Sequence, residues 1–150
     1  MAARLGWVSD RAGYRYAAQD PESGRPWPPT PTRFLQLARD AAAQAGFAGF
    51  LPDACLIHRY LPAARMSLHQ DRDERDRTAS IVSVSLGLPA VFLWGGLKRK
   101  DPARRPLAHG DGLVWGGPDR LRDHGVRPLK PGQHPLLGAQ WIHLTFRQAG

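Results

Sequence analysis

Beyond its first third, this chain reads as a series of short apolar runs cut apart by turn residues, and that pattern leaves few folds open. The runs are 55–61 (CLIHRYL), 66–70 (MSLHQ), 80–87 (SIVSVSLG), 90–95 (AVFLWG), 105–108, 112–116 (GLVWG), 123–127 and 140–147 (QWIHLTFR). Between them stand Leu61-Pro62, Leu88-Pro89, Gly95-Gly96, Gly110-Asp111, Gly116-Gly117-Pro118 and Pro131-Gly132. Such dipeptides interrupt strands because proline lacks a backbone donor and glycine admits turn conformations. With 14 prolines and 16 glycines in 150 residues, many turns and short strands are expected rather than long helices. Eight such strands predict a mainly β fold, a two-sheet jelly roll, filling one domain over residues 1–150.

One helix supports it. From Pro31 to Ala45, apolar residues fall at Phe34, Leu35, Leu37, Ala38, Ala41, Ala42 and Ala45, a helical spacing that predicts a helix near 32–45. Thr30 is a candidate cap and Gly46 a stop, and the apolar stripe should pack on a sheet. Residues 5–16 (LGWVSDRAGYRY) predict a short hairpin, and 20–31, with five prolines, an irregular crossing.

Net charge is +8, which suits a polyanionic partner such as nucleic acid. The basic residues concentrate in 98–105 (KRKDPARR), whereas 71–77 (DRDERDR) mixes both signs. Taken alone, each segment also reads as a solvated loop. The single cysteine, Cys55, allows no intrachain disulfide and favours a reducing, cytoplasmic setting. No apolar run is long enough to span a bilayer, so no membrane association is expected, and the chain reads as a monomer.

The chemistry concentrates at His69-Gln70-Asp71 and, far downstream, His124. On a strand, side chains alternate, so the first and third residues of H-x-D share a face. Two imidazoles and a carboxylate on one side of a metal, with three positions left open, mark a non-haem Fe(II) oxygenase site. The triplet by itself is common by chance, so its surroundings matter. His109 and His134 precede turns and read as loop residues, and Trp115 reads as core.

Those surroundings resemble a known family. From Leu51 to Gly150 the phrases LPDACLIHRYLP, SLHQDRDE, IVSVSLGLPAVF, GGLKRKDP, HGDGLVWGG, DHGVRPLK, HPLLG and LTFRQAG resemble the AlkB family of Fe(II)/2-oxoglutarate dioxygenases, which repair alkylated DNA. The earlier LGW…GYRY…PWPP is similar too. The resemblance implies that His69, Asp71 and His124 bind Fe(II) and that 2-oxoglutarate is the co-substrate. It implies oxidative demethylation of N-alkylated bases in single- or double-stranded DNA, or in RNA, with the hydroxylated carbon leaving as an aldehyde. It places Trp7, Tyr14, Asp73, Glu74 and Arg99 on the substrate side, with Tyr16 nearby and Trp7 able to stack on a flipped base. Residues 1–20 would be the remnant of a nucleotide-recognition lid.

The departures from the family pattern fall in the co-substrate pocket. Tyr60 and Arg147 match it. His58-Arg59-Tyr60 stands where relatives have N-x-Y, and Trp141-Ile142-His143 where they have R-x-N. Alternation puts Trp141, His143, Thr145 and Arg147 on one strand face, so Trp141 should replace an arginine that pairs with the distal carboxylate. His58 and His143 read as hydrogen-bonding replacements for Asn, with added metal contacts the other option. Three functions stay open: a demethylase with a remodelled pocket, a nucleic-acid-binding module with an inactive pocket, and a small-molecule oxygenase.

Overall fold

Each of the eight expected runs becomes a strand in the computed structural model, which describes residues 2–98 and 101–150. A hairpin of β1 (Gly6–Asp10) and β2 (Gly13–Ala17) comes first, then helix α1 (Thr32–Gln44). The strands that follow are β3 (Ala54–Tyr60), β4 (Met66–His69), β5 (Ile81–Gly87), β6 (Ala90–Trp94), β7 (Ala103–Leu107), β8 (Gly112–Trp115), β9 (His124–Val126) and β10 (Trp141–Arg147). They form two four-stranded sheets, ordered β3-β10-β5-β8 and β4-β9-β6-β7, and every pairing is antiparallel. This is the expected jelly roll, a mainly β fold with one helix.

β10 shows why the sequence folds this way. It lies between β3 and β5, and its side chains alternate between two cores. Trp141 faces between the sheets, in a cluster with Tyr60, Ile81, Phe92 and Trp115. Leu144 and Phe146 face outward, where α1 covers them with Ala38 and Ala42. Both alanines are fully buried, and their small size brings the helix close to Val82, Val84 and Phe146. Phe34 adds an edge-on contact with Phe146 at 6.3 Å.

The helix ends differ in detail from expectation. Thr30 does not cap it: its hydroxyl donates to the Ala2 carbonyl at 2.5 Å, and Pro31 takes the cap position without a side-chain bond. Gly46 does stop it, at φ +87°. Leu37 lies off the buried stripe and is exposed. The hairpin packs over β3, with Leu5, Trp7 and Tyr16 against Ala54 and Leu56. The basic segment is not wholly a loop, because Arg104 and Arg105 sit on edge strand β7. Arg99 lies outside the described residues. Among the described residues no helix is long and apolar enough to cross a membrane.

Candidate metal centre and adjoining groove

His69 is the last residue of β4 and His124 the first of β9, and the two are directly paired across the ladder. Their ring centroids lie 4.5 Å apart. Gly125 makes the approach possible, since a Cβ there would meet the Met66 carbonyl oxygen at 2.8 Å. β4 ends at His69, so the H-x-D triplet straddles a strand end rather than lying within a strand. Asp71, from the segment just beyond, places its carboxylate between the two imidazoles.

The hydrogen bonds fix how the rings present themselves. His69 Nδ1 lies 2.9 Å from the Ser67 carbonyl, and His124 Nδ1 lies 3.0 Å from the Arg122 carbonyl. A carbonyl only accepts, so each Nδ1 carries the proton and each Nε2 is left as a bare lone pair. These nitrogens stand 3.7 and 3.4 Å from Asp71 Oδ1 and Oδ2. Asp71 is buried, and its Oδ2 receives no hydrogen bond. The three ligand atoms lie within 4.8 Å of one another. With each Nδ1 turned to a carbonyl, the two Nε2 atoms and an Asp71 oxygen converge as three possible electron-pair donors, the arrangement a cation at their centre would satisfy. The residues present therefore fit a divalent metal.

Arg147, the last residue of β10, borders this centre. Its guanidinium is 2.7 Å from Asp71 Oδ1 and 3.2 Å from Glu74 Oε1, and it donates to the Tyr16 hydroxyl at 2.8 Å. Burial opposes the charge on Asp71. The guanidinium of Arg147 and the neighbouring His124 and His69 outweigh it and hold the carboxyl well below its usual range. Arg147 is likewise desolvated, yet Asp71, Tyr16 and Glu74 keep it firmly protonated.

A groove of about 660 Å³ opens beside His69 and is lined by Trp7, Tyr14, Met66, Gln70, Arg72, Asp73 and Asp123. Trp7 and Tyr14 stack at 5.3 Å, nearly parallel, and the Trp7 indole donates to Asp73 at 3.0 Å. Of the expected substrate-side residues, Trp7, Tyr14 and Asp73 thus meet at one place. Glu74 does not join them. Its side chain is fully buried, with Arg120 at 3.0 Å, Arg147 on its other oxygen, and a hydrogen bond from the Tyr16 hydroxyl at 2.8 Å. Tyr16 accordingly belongs to this inner network and not to the groove. Arg120, which also donates to the Asp71 and Ala79 carbonyls, was not legible in the sequence: nothing in GGPDRLRDHG separates it from a surface arginine. Asp123 had one available cue, its adjacency to His124.

The metal centre itself opens on a small cavity of about 30 Å³, lined by His69, Asp71 and His124 and further bordered by His58, Tyr60, His143, Thr145 and Arg147. Trp141 closes the region beyond His143. It is fully buried, tilts against Tyr60 at 4.8 Å, stacks on His143 at 4.8 Å and donates to the Ser85 hydroxyl at 3.2 Å. Burial and the neighbouring His58, His124 and Arg147 push the His143 imidazole down to about 3, so it is neutral. Burial and Arg147 also lower His58. His58 Nδ1 and His143 Nε2 are buried without a hydrogen-bond partner. Both histidines line the cavity, while the three atoms that converge on the metal position belong to His69, Asp71 and His124.

The fold and the donor set together define a jelly-roll oxygenase of the non-haem iron class. The chain belongs to the 2OG-Fe(II) oxygenase superfamily, whose family model matches residues 1–147. It is 58% identical over 146 residues to the alpha-ketoglutarate-dependent dioxygenase AlkB of Salmonella typhimurium, covering 97% of this chain and 68% of that one. It is 34% identical over 137 residues to the mouse nucleic acid dioxygenase ALKBH1, covering 90% of this chain and 34% of that one. The solved structure of OsALKBH1 superposes with a TM-score of 0.82 at 30% identity, covering 96% of this chain and 75% of the other.

The family uses Fe(II) and 2-oxoglutarate. The metal fits the donor set, but the far wall does not fit a dianion. Arg147 is the one guanidinium or ammonium bordering the cavity among the described residues, and it lies at the metal end. Arg59, beside Tyr60, donates to exposed Gln140 instead. A second carboxylate buried against Tyr60 and neutral His143, with Trp141 closing the space behind, would have no charged partner.

Proposed function

We propose that this protein oxidises N-alkyl groups on nucleobases of alkylated DNA or RNA, and so acts in repair. One observation carries the reading: three ligand atoms, two imidazole nitrogens and a carboxylate oxygen, converge beside an aromatic, carboxylate-bearing groove on a chain of net charge +8. His69, Asp71 and His124 would hold the metal. Bound there, Fe(II) supplies the redox chemistry that activates O2. Arg147 holds Asp71 in its charged, ligating form.

Trp7 and Tyr14 offer flat faces on which a base taken out of its stack can lie. Asp73 and Asp123 outnumber Arg72 in the lining and leave the groove a net negative charge, which suits a ring made cationic by alkylation. The net positive charge of the chain attracts the phosphate backbone outside it. Oxidation of an N-methyl carbon gives N–CH2OH, which loses formaldehyde and leaves the base with its N–H. We further propose a cytoplasmic location, with which a single buried cysteine is consistent, and a monomeric state.

Formaldehyde release from a methylated single-stranded oligonucleotide, in the presence of Fe(II), O2 and a panel of 2-oxo acids, tests the reaction. The Asp71→Ala variant should release none. Release that persists in that variant refutes the assignment.

A further inference from the structure

We propose that the co-substrate compartment of this chain selects a 2-oxo acid with a single negative charge and an uncharged tail, and that Trp141 is the residue that sets this preference. The inference rests on the reading of His69, Asp71 and His124 as an iron site.

On one face of β10 the cavity is bordered by Arg147, Thr145 and His143, and Trp141, the next residue on that face, packs behind His143 and closes the far end. Residues two apart on a strand are separated by about 7 Å, so Trp141 stands far beyond the reach of Arg147. A 2-oxo acid would place its carboxylate and keto oxygen at the metal end, where Arg147 is the one guanidinium or ammonium bordering the cavity among the described residues. The rest of the molecule then meets aromatic rings and two imidazoles. Cross-strand pairing fixes this wall, because Trp141 is opposite Tyr60 on β3 and Gly87 on β5, and His143 is opposite His58 and Ser85. Gly87 adopts φ +98°, and a Cβ there would meet the Gln140 carbonyl oxygen at 2.4 Å, so the backbone beside Trp141 has little room to shift.

The unpartnered nitrogens of His58 and His143 point to a ligand in the same place. Neutral imidazoles exchange hydrogen bonds with a hydroxyl, a carbonyl or water, but they supply no charge. A second carboxylate would be desolvated against them without an ion pair, and that is the group 2-oxoglutarate must place there. A tail lacking the carboxylate meets no such penalty and gains contact with the Tyr60 ring, which borders the cavity.

Calorimetric titration of the Mn(II)-loaded protein reads this without turnover. The probes are 2-oxoglutarate, pyruvate and 2-oxopentanoate, the last having the same five-carbon chain without the second carboxylate. 2-Oxopentanoate should bind at least about tenfold more tightly than 2-oxoglutarate, and pyruvate should also bind more tightly than the dianion. Trp141→Arg should invert the order of the two five-carbon acids. Tighter binding of 2-oxoglutarate to the unmodified chain overturns the proposal, and that comparison decides even if the variant fails to fold. Mn(II) binding with no uptake of any 2-oxo acid also overturns it. Absence of Mn(II) binding refutes the iron site itself, and this inference with it.

Discussion

Replacing Glu74 with alanine should destabilise the fold severely, although the residue directly follows a groove residue in sequence. Its carboxylate holds Arg120 at 3.0 Å and Arg147 at 3.2 Å and accepts the Tyr16 hydroxyl at 2.8 Å, with the side chain fully buried. Removing it leaves two guanidinium groups facing each other across a dry space. Asp71 still compensates Arg147, but Arg120 keeps only the Asp71 and Ala79 carbonyls. Breaking one side of a buried ion pair costs about 3–5 kcal/mol. Domains have about 5–15 kcal/mol in total. For a chain of this size the melting temperature should fall by roughly 6–20 °C. Glu74→Gln keeps the shape and one oxygen acceptor, so its loss should be smaller. Urea unfolding with an unchanged m-value measures both. A loss below about 1 kcal/mol for Glu74→Ala refutes the buried network and returns Glu74 to the substrate face.

Three further outcomes follow from the same geometry. His143, held neutral with its folded value down near 3, binds no proton between pH 6.5 and 3 while the unfolded chain does, so stability should fall with pH by about 1.4 kcal/mol per unit across that window. His143→Asn should flatten the decline, and an unchanged slope contradicts the assigned neutrality. Gly125→Ala should force β4 and β9 apart beside both histidines and lower metal affinity by about 10–100-fold, as disturbances around a metal's ligands do; equilibrium dialysis showing full affinity would contradict the close approach. Binding to single-stranded DNA should weaken with salt, with a log–log slope of about −3 if four phosphates are neutralised; binding flat between low and high salt rules out a phosphate-contacting surface.

The strand-forming runs were legible in the sequence because turn residues bracket them. Strand β10 is the plainest case: the period-two pattern correctly put Trp141 and His143 inside and Leu144 and Phe146 toward the helix. The donor set was visible for a local reason at His69 and Asp71, and only through resemblance at His124. The burial of Glu74 was not legible, because a residue in a charged loop carries no periodicity to show which way it points. Arg120 was invisible for the same reason, its partner lying 46 residues away. Thr30 looked like a cap, yet the hydroxyl found the Ala2 carbonyl across the fold, a tertiary contact that local rules cannot foresee.

Mn(II) stoichiometry measured by electron paramagnetic resonance tests the metal centre of His69, Asp71 and His124 most directly. The unmodified chain should bind one ion. Asp71→Ala, which removes the carboxylate between His69 and His124, should weaken binding by more than about a hundredfold, beyond what outer contacts alone contribute. One ion bound with unchanged affinity in Asp71→Ala would contradict the site.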